Sequence, residues 1–253
     1  MDLNDTARDA AGHHEGVAIA IEYGGEKGGW RQHEPYYPAS VVKLLYLDYT
    51  LHHFPVRATE FERGVRDMIV ESSNDATALV VDTITGTTGG PELSPADLSA
   101  WMKKRQRVNE WFRILGHHRI NACQKTWNEA PYGREKQGYG PNNELRNSLT
   151  AFESLSILRE TLERHPEAER YLLRRKGDAQ HDEFLGPLCP LGWDSLSKAG
   201  WTSEVRHDAA FFRAPQKEES LGLAVFTVGA SDNAELIPSI GRRVMELLGI
   251  QAR

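Results

Sequence analysis

Ser40 and Lys43 stand three residues apart in Ser40-Val41-Val42-Lys43. On a helix, positions i and i+3 lie on one face. A serine hydroxyl holds its proton too tightly to attack a carbonyl unaided. A lysine amine one turn on can take that proton if the amine is neutral, and burial favours the neutral form. A serine at a helix N-terminus also gains from the free amides and the dipole, which favour developing negative charge. Ser-x-x-Lys arises by chance as a capping serine and an exposed lysine. Lys43, however, falls inside the apolar run Val41–Leu47, where a purely solvating lysine is out of place.

Two later stretches carry related chemistry. Ser72-Ser73-Asn74 interrupts two apolar helical patterns. A hydroxyl and an amide in one tight turn can face the same cleft, although such residues also serve as ordinary turn and cap residues. Ser197-Lys198-Ala199-Gly200-Trp201 reads as strand. There Lys198 sets a cation beside Gly200, which lets a backbone approach closely. The plainer alternative is an edge-strand lysine that discourages aggregation. The chemistry requires the Ser40 hydroxyl within hydrogen-bond reach of the Lys43 amine, with Ser72 and Lys198 converging on the same cleft.

The elements that must position these groups are legible in the hydrophobic pattern. Val17–Tyr23 is rich in β-branched residues and ends at Gly24-Gly25, a strand entering a hairpin, with Gly28-Gly29-Trp30 leading into its partner. Helical patterns follow from Ser40, through Val65–Val70, and again from Ala76 to Val81. Ser94-Pro95-Ala96-Asp97 and Thr150-Ala151-Phe152-Glu153 have capping-box spacing. The first opens a helix to about Leu115, whereas residues 117–147 read as a long loop of the kind that is usually functional. Strands return at Ser195–Lys198, Ala209–Arg213 and Leu221–Val228, before an amphipathic helix from Ile237 to Leu248. Strands, then helices, then strands and one helix imply an α+β fold: an antiparallel sheet flanked by helices, with an inserted all-helical lobe. The sheet lobe is read as residues 1–38 and 190–253, and the helical lobe as 39–189.

Composition excludes several classes. The 253 residues suit one domain or two packed lobes; 40% are hydrophobic and 26% charged, which is neither disordered nor fibrous. A net charge of −6 and the lack of a basic patch argue against a nucleic-acid partner. Lys103-Lys104-Arg105-Gln106-Arg107 is read as a solvated helix face. No apolar run reaches the roughly 18 to 20 residues of a membrane helix. The start Met1-Asp2-Leu3-Asn4-Asp5 lacks a secretory pattern, so the expected place is cytoplasmic, or secreted or periplasmic if a signal was trimmed. Cys123 and Cys189 are expected to be free thiols. The pairs His13-His14, His52-His53 and His117-His118 lack metal-ligand spacing, and neither metal nor cofactor is expected.

Ser-x-x-Lys, Ser-x-Asn and Lys-x-Gly in this order resemble the class A β-lactamases and penicillin-binding proteins. Met68–Ala78 looks like that superfamily's helix-turn-helix segment, and Trp127-Asn128-Glu129-Ala130-Pro131 resembles its omega loop. Val205–Ala210 resembles the strand that follows Lys-x-Gly. The resemblance implies a serine hydrolase or acyltransferase acting on a small-molecule or peptide acyl donor. Ser40 would be the acylated nucleophile, Lys43 its base, and Ser72 the proton donor to the leaving group. Asn74 would bind the substrate amide and Lys198 its carboxylate, and the N–H groups of Ser40 and Trp201 would form the oxyanion hole. Three departures stand out. The deacylating glutamate should lie four residues before Asn128, where Gln124 stands, and an amide has no basic site for activating water. Glu129 is the nearest carboxylate. Ala199 replaces a hydroxyl residue, and Ser40 and Ser72 are closer in sequence than in class A enzymes. Slow deacylation is therefore expected. The alternative is a non-catalytic or penicillin-binding module that keeps the cleft without turnover.

Overall fold

Val17, Ile19 and Ile21 point to one face of β1 (Val17–Tyr23) and Ala18 and Ala20 to the other, and all five are buried. Gly24 and Gly25 both take positive φ, 61° and 81°, as a two-residue hairpin turn demands. They connect β1 to β2 (Glu26–Trp30) in antiparallel register, Tyr23 opposite Glu26. The computed structural model of the protein describes residues 2–55, 59–215 and 219–252. Its six-stranded sheet runs β2-β1-β6-β5-β4-β3 and is antiparallel throughout, with β3 (Leu173–Arg174), β4 (Asp194–Trp201), β5 (Val205–Arg213) and β6 (Ser220–Val228).

The chain divides into two compact units, Met1–Val41 with Thr150–Arg253, and Val42–Leu149. In the sheet unit, α1 (Leu3–Ala11) and α11 (Leu236–Leu248) cover one face. Leu3, Ala7, Ile237, Ile240 and Val244 meet Val17, Ile19, Phe212 and Leu223 in a single apolar core. The opposite face carries α8 (Ala151–Arg164), capped by Thr150 Oγ1, which accepts the Glu153 N–H at 3.0 Å. Gly222 makes room for α8: a Cβ there would lie 3.0 Å from Leu155 Cδ1. Residues 150–189, read above as part of the helical lobe, belong to the sheet unit. They include the short α9 (Glu169–Leu172) and α10 (Ala179–Asp182).

A 3₁₀ turn (Ala39–Val42), of which Ala39, Ser40 and Val41 belong to the sheet unit, leads directly into α2 (Lys43–His53), the first helix of the helical unit. It is followed by α3 (Glu60–Ile69), α4 (Asn74–Thr85), α5 (Pro95–Arg105), α6 (Arg107–Ile114) and α7 (Gly133–Gln137). Leu44, Leu45 and Leu47 of α2 are buried, as are Val65, Met68, Val80, Ile84 and Phe112 of its neighbours. The single helix expected up to Leu115 is two, broken at Gln106. Among the described residues, no helix is long and apolar enough to cross a membrane.

Candidate active site

The helical unit gathers two of the expected residues, Ser72 and Asn74, around the amine of a third, Lys43. Lys43 opens α2 with no exposed surface, and its Nζ donates to Ser72 O at 2.7 Å, Ser72 Oγ at 3.3 Å and Asn74 Oδ1 at 3.0 Å. Burial penalises the ammonium and lowers its pKa from 10.5 to about 7. Ser72 is held between α3 and α4 with φ of +52°, a conformation that costs a non-glycine residue energy. Ser73 caps α4, its Oγ accepting the Ala76 N–H at 3.1 Å. Asn74 then reaches two ways, with Oδ1 on Lys43 and Nδ2 donating to Asn128 Oδ1 at 3.0 Å. Asn128 in turn donates to Asp75 Oδ1 at 3.4 Å.

Gln124 is fully buried and serves the loop that carries it. Its Nε2 donates to Gly138 O at 2.7 Å and Leu145 O at 3.4 Å, and its backbone is clasped by Asn147 and by the Tyr46 hydroxyl. Glu129 is exposed. The same loop is anchored by a cluster that the sequence reading missed. Arg105 has no exposed surface and bonds Glu135 at 2.6 Å, Asp82 at 3.1 Å and Thr87 at 2.8 Å. Its guanidinium stacks 4.3 Å from the Trp101 ring centroid. Lys125 joins the same carboxylates at 2.7 and 2.9 Å. Arg105 is therefore not part of a solvated face. The motif spacing that marks Lys43 has no counterpart for Arg105, whose partners lie 23 and 30 residues away in sequence.

The sheet unit carries the other expected residues. Ser40 is half-buried on the 3₁₀ turn, behind Ala39 with φ of +47°. Strand β4 lies directly against this turn. A Cβ on Gly200 would come 2.6 Å from Ser40 N, 2.8 Å from Val41 N and 2.9 Å from Pro38 O. Across the β4–β5 hairpin, Thr202 N–H donates to Val205 O at 2.9 Å. Ladder amides alternate between edges. The Trp201 N–H thus points away from β5, to the edge that β3 covers only at Ser195 and Leu196. Ala199 is buried in the apolar core. Lys198 has no exposed surface, and its Nζ donates to Gln180 Oε1 and to Ala199 O at 2.7 Å. On β5, the buried Asp208 carboxyl accepts the Leu185 N–H at 3.1 Å, and burial pushes its pKa up to about 7. Burial also lowers the neighbouring His207 to about 4, so its ring is neutral between the Tyr37 carbonyl and the Thr227 N–H.

Both cysteines are free and buried, and the desolvated Cys123 thiol is raised to about 11. His52 stacks on Trp111 with ring centroids 4.1 Å apart, with His53 edge-on to the same indole.

Residues 55–248 match the sequence profile described as the Beta-lactamase enzyme family. No curated protein matches significantly. Among solved structures, the chain is similar to a class A β-lactamase from Clostridium kluyveri DSM 555, at 12% identity over 98% of both chains and a TM-score of 0.70. It is also similar to a β-lactamase from Sphaerobacter thermophilus DSM 20745, at 20% identity over 97% of this chain and 96% of that one, with a TM-score of 0.69. A β-lactamase from Xanthomonas campestris pv. campestris shares 15% identity over 98% and 97% of the two chains, with a TM-score of 0.70. The antiparallel sheet with its flanking helices is the fold of these enzymes, and the profile covers most of the sequence: the chain belongs to the Beta-lactamase enzyme family.

Proposed function

We propose that this protein is a serine hydrolase or acyltransferase that forms a covalent acyl-enzyme on Ser40 with an amide, peptide or β-lactam carbonyl. The Ser40 oxygen attacks the carbonyl carbon, and its proton passes to the neutral Lys43 amine. Ser72 returns a proton to the departing nitrogen as the carbonyl–nitrogen bond breaks. The Ser40 and Trp201 amides receive the oxyanion charge. The observation that carries this reading is the Lys43 amine. It is buried and lowered to about 7, which makes a neutral amine available as a base near neutral pH, and it lies within hydrogen-bond reach of both Ser72 and Asn74.

The acyl-enzyme is expected to be long-lived. Gln124 offers a carboxamide committed to Gly138 and Leu145, and a carboxamide cannot activate water. Intact-mass spectrometry after incubation with a penicillin and with an activated ester tests both steps. A mass gain that disappears in Ser40→Ala supports acylation, and a gain that persists for hours supports slow deacylation. No adduct with either reagent leaves a binding module without chemistry.

Gly200→Ala should cost at least about 100-fold in acylation rate, the typical value of one lost oxyanion donor. The added methyl must push β4 off the Ser40 and Val41 amides, which would lie 2.6 and 2.8 Å from it. Stopped-flow ester acylation checks this, and a change under threefold would exclude the close contact as a requirement.

A further inference from the structure

We infer that the acyl donor is uncharged where it meets strand β4: an ester or amide bearing an aromatic or aliphatic group there, and no carboxylate. The inference rests on the reading of Ser40 as nucleophile and narrows its substrate class.

Lys198 is the one cation in Asp194–Trp201, and its amine is already engaged inside its own unit. An ammonium has three N–H donors. Two of these end on neutral oxygens, Gln180 Oε1 and Ala199 O. Gln180 is buried, and Asp178, capping α10, fixes its backbone by accepting the Gln180 N–H at 2.8 Å. Its carbonyl therefore stands on Lys198 as a built-in neutral ligand. A carboxylate could take its place only by leaving a buried amide oxygen unpaired, which is costly.

Two arginines near β4 are engaged as well. Arg206 donates to Glu183 O at 3.0 Å and Glu183 Oε2 at 3.1 Å, and lies over the Phe184 ring at 4.3 Å. Arg174 donates to Ser197 O at 3.1 Å and pairs with Asp178 at 3.5 Å. Ala199, where a hydroxyl would assist carboxylate binding, offers only a buried methyl. What β4 does present is an indole: Trp201 is 45% exposed and leans on Phe184 with ring centroids 5.6 Å apart. An aromatic face in this setting favours apolar or planar groups.

Benzylpenicillin and its methyl ester share the same strained amide and differ in the carboxylate, so their Ser40 acylation rates, followed by intact mass, form the test. The ester is expected to label Ser40 at least tenfold faster than the salt. Gln180→Ala should narrow that ratio at least fivefold by releasing a Lys198 donor, and Gln180→Asn serves if the alanine variant does not fold. A salt rate equal to or above the ester rate overturns the inference, as does an unchanged ratio in the folded variant. If neither penicillin nor an activated ester labels Ser40, the reading of Ser40 as nucleophile fails instead.

Discussion

Replacing Lys43 with methionine is expected to remove about a thousandfold of acylation rate while flattening the pH dependence of stability. General-base assistance is worth roughly 10²- to 10⁴-fold, and methionine has no basic nitrogen. The stability effect follows from burial. The folded chain holds the Lys43 amine at about 7, against 10.5 when it is free. Between those values the unfolded chain binds a proton that the folded one does not. Stability therefore rises with pH across this window, by about 1.4 kcal/mol per pH unit. The penalty is complete below about pH 7 and gone above 10.5. Urea denaturation at pH 7, 8 and 9 should show wild type gaining on Lys43→Met at that slope. Parallel stability curves would mean that the amine is not desolvated as its burial implies. Wild-type acylation should rise through an apparent pKa near 7, a limb the variant lacks.

The second large effect is structural. Arg105→Met should lower the unfolding free energy by about 3–5 kcal/mol, the usual cost of removing one partner from a buried ion pair. Asp82 and Glu135 would be left to Lys125 alone, within a cluster where Glu135 has no exposed surface. Arg105→Lys should recover only part of the loss, because an ammonium cannot reproduce the planar fork that spans two carboxylates and Thr87. Urea midpoints of the three proteins decide the matter. A loss under about 1 kcal/mol would mean that the cluster does not brace the loop that carries Gln124.

Much of the fold was legible because its signals are local. β1 is marked by alternating β-branched residues and a Gly-Gly turn, and α8 by its Thr150–Glu153 cap. The helix break at Ser72–Asn74 was legible for the same reason: Ser73 both ends the turn and caps α4. What escaped depends on distant partners. The polar start forms α1 because Leu3, Ala7 and Ala10 find apolar residues of the sheet and of α11. The two-residue strand β3 exists only through its pairing with Leu196 and Ser195. At the site, the serine, lysine and asparagine positions follow from motif spacing. The engagement of Lys198 by Gln180 does not, since it joins residues 18 apart across an irregular stretch that no short pattern encodes.

The strand order has a consequence for synthesis of the chain. β1 emerges early, yet in the finished sheet it is flanked by β2 and β6, with Val17 opposite Thr227. Until the last strand leaves the ribosome, the β1–β2 hairpin has one edge without its partner, and a lone hairpin is marginal in water. The segment Val42–Leu149, whose helices contact one another locally, can order first. A nascent chain stalled before residue 220 should accordingly resist protease in its middle and be cut at its beginning.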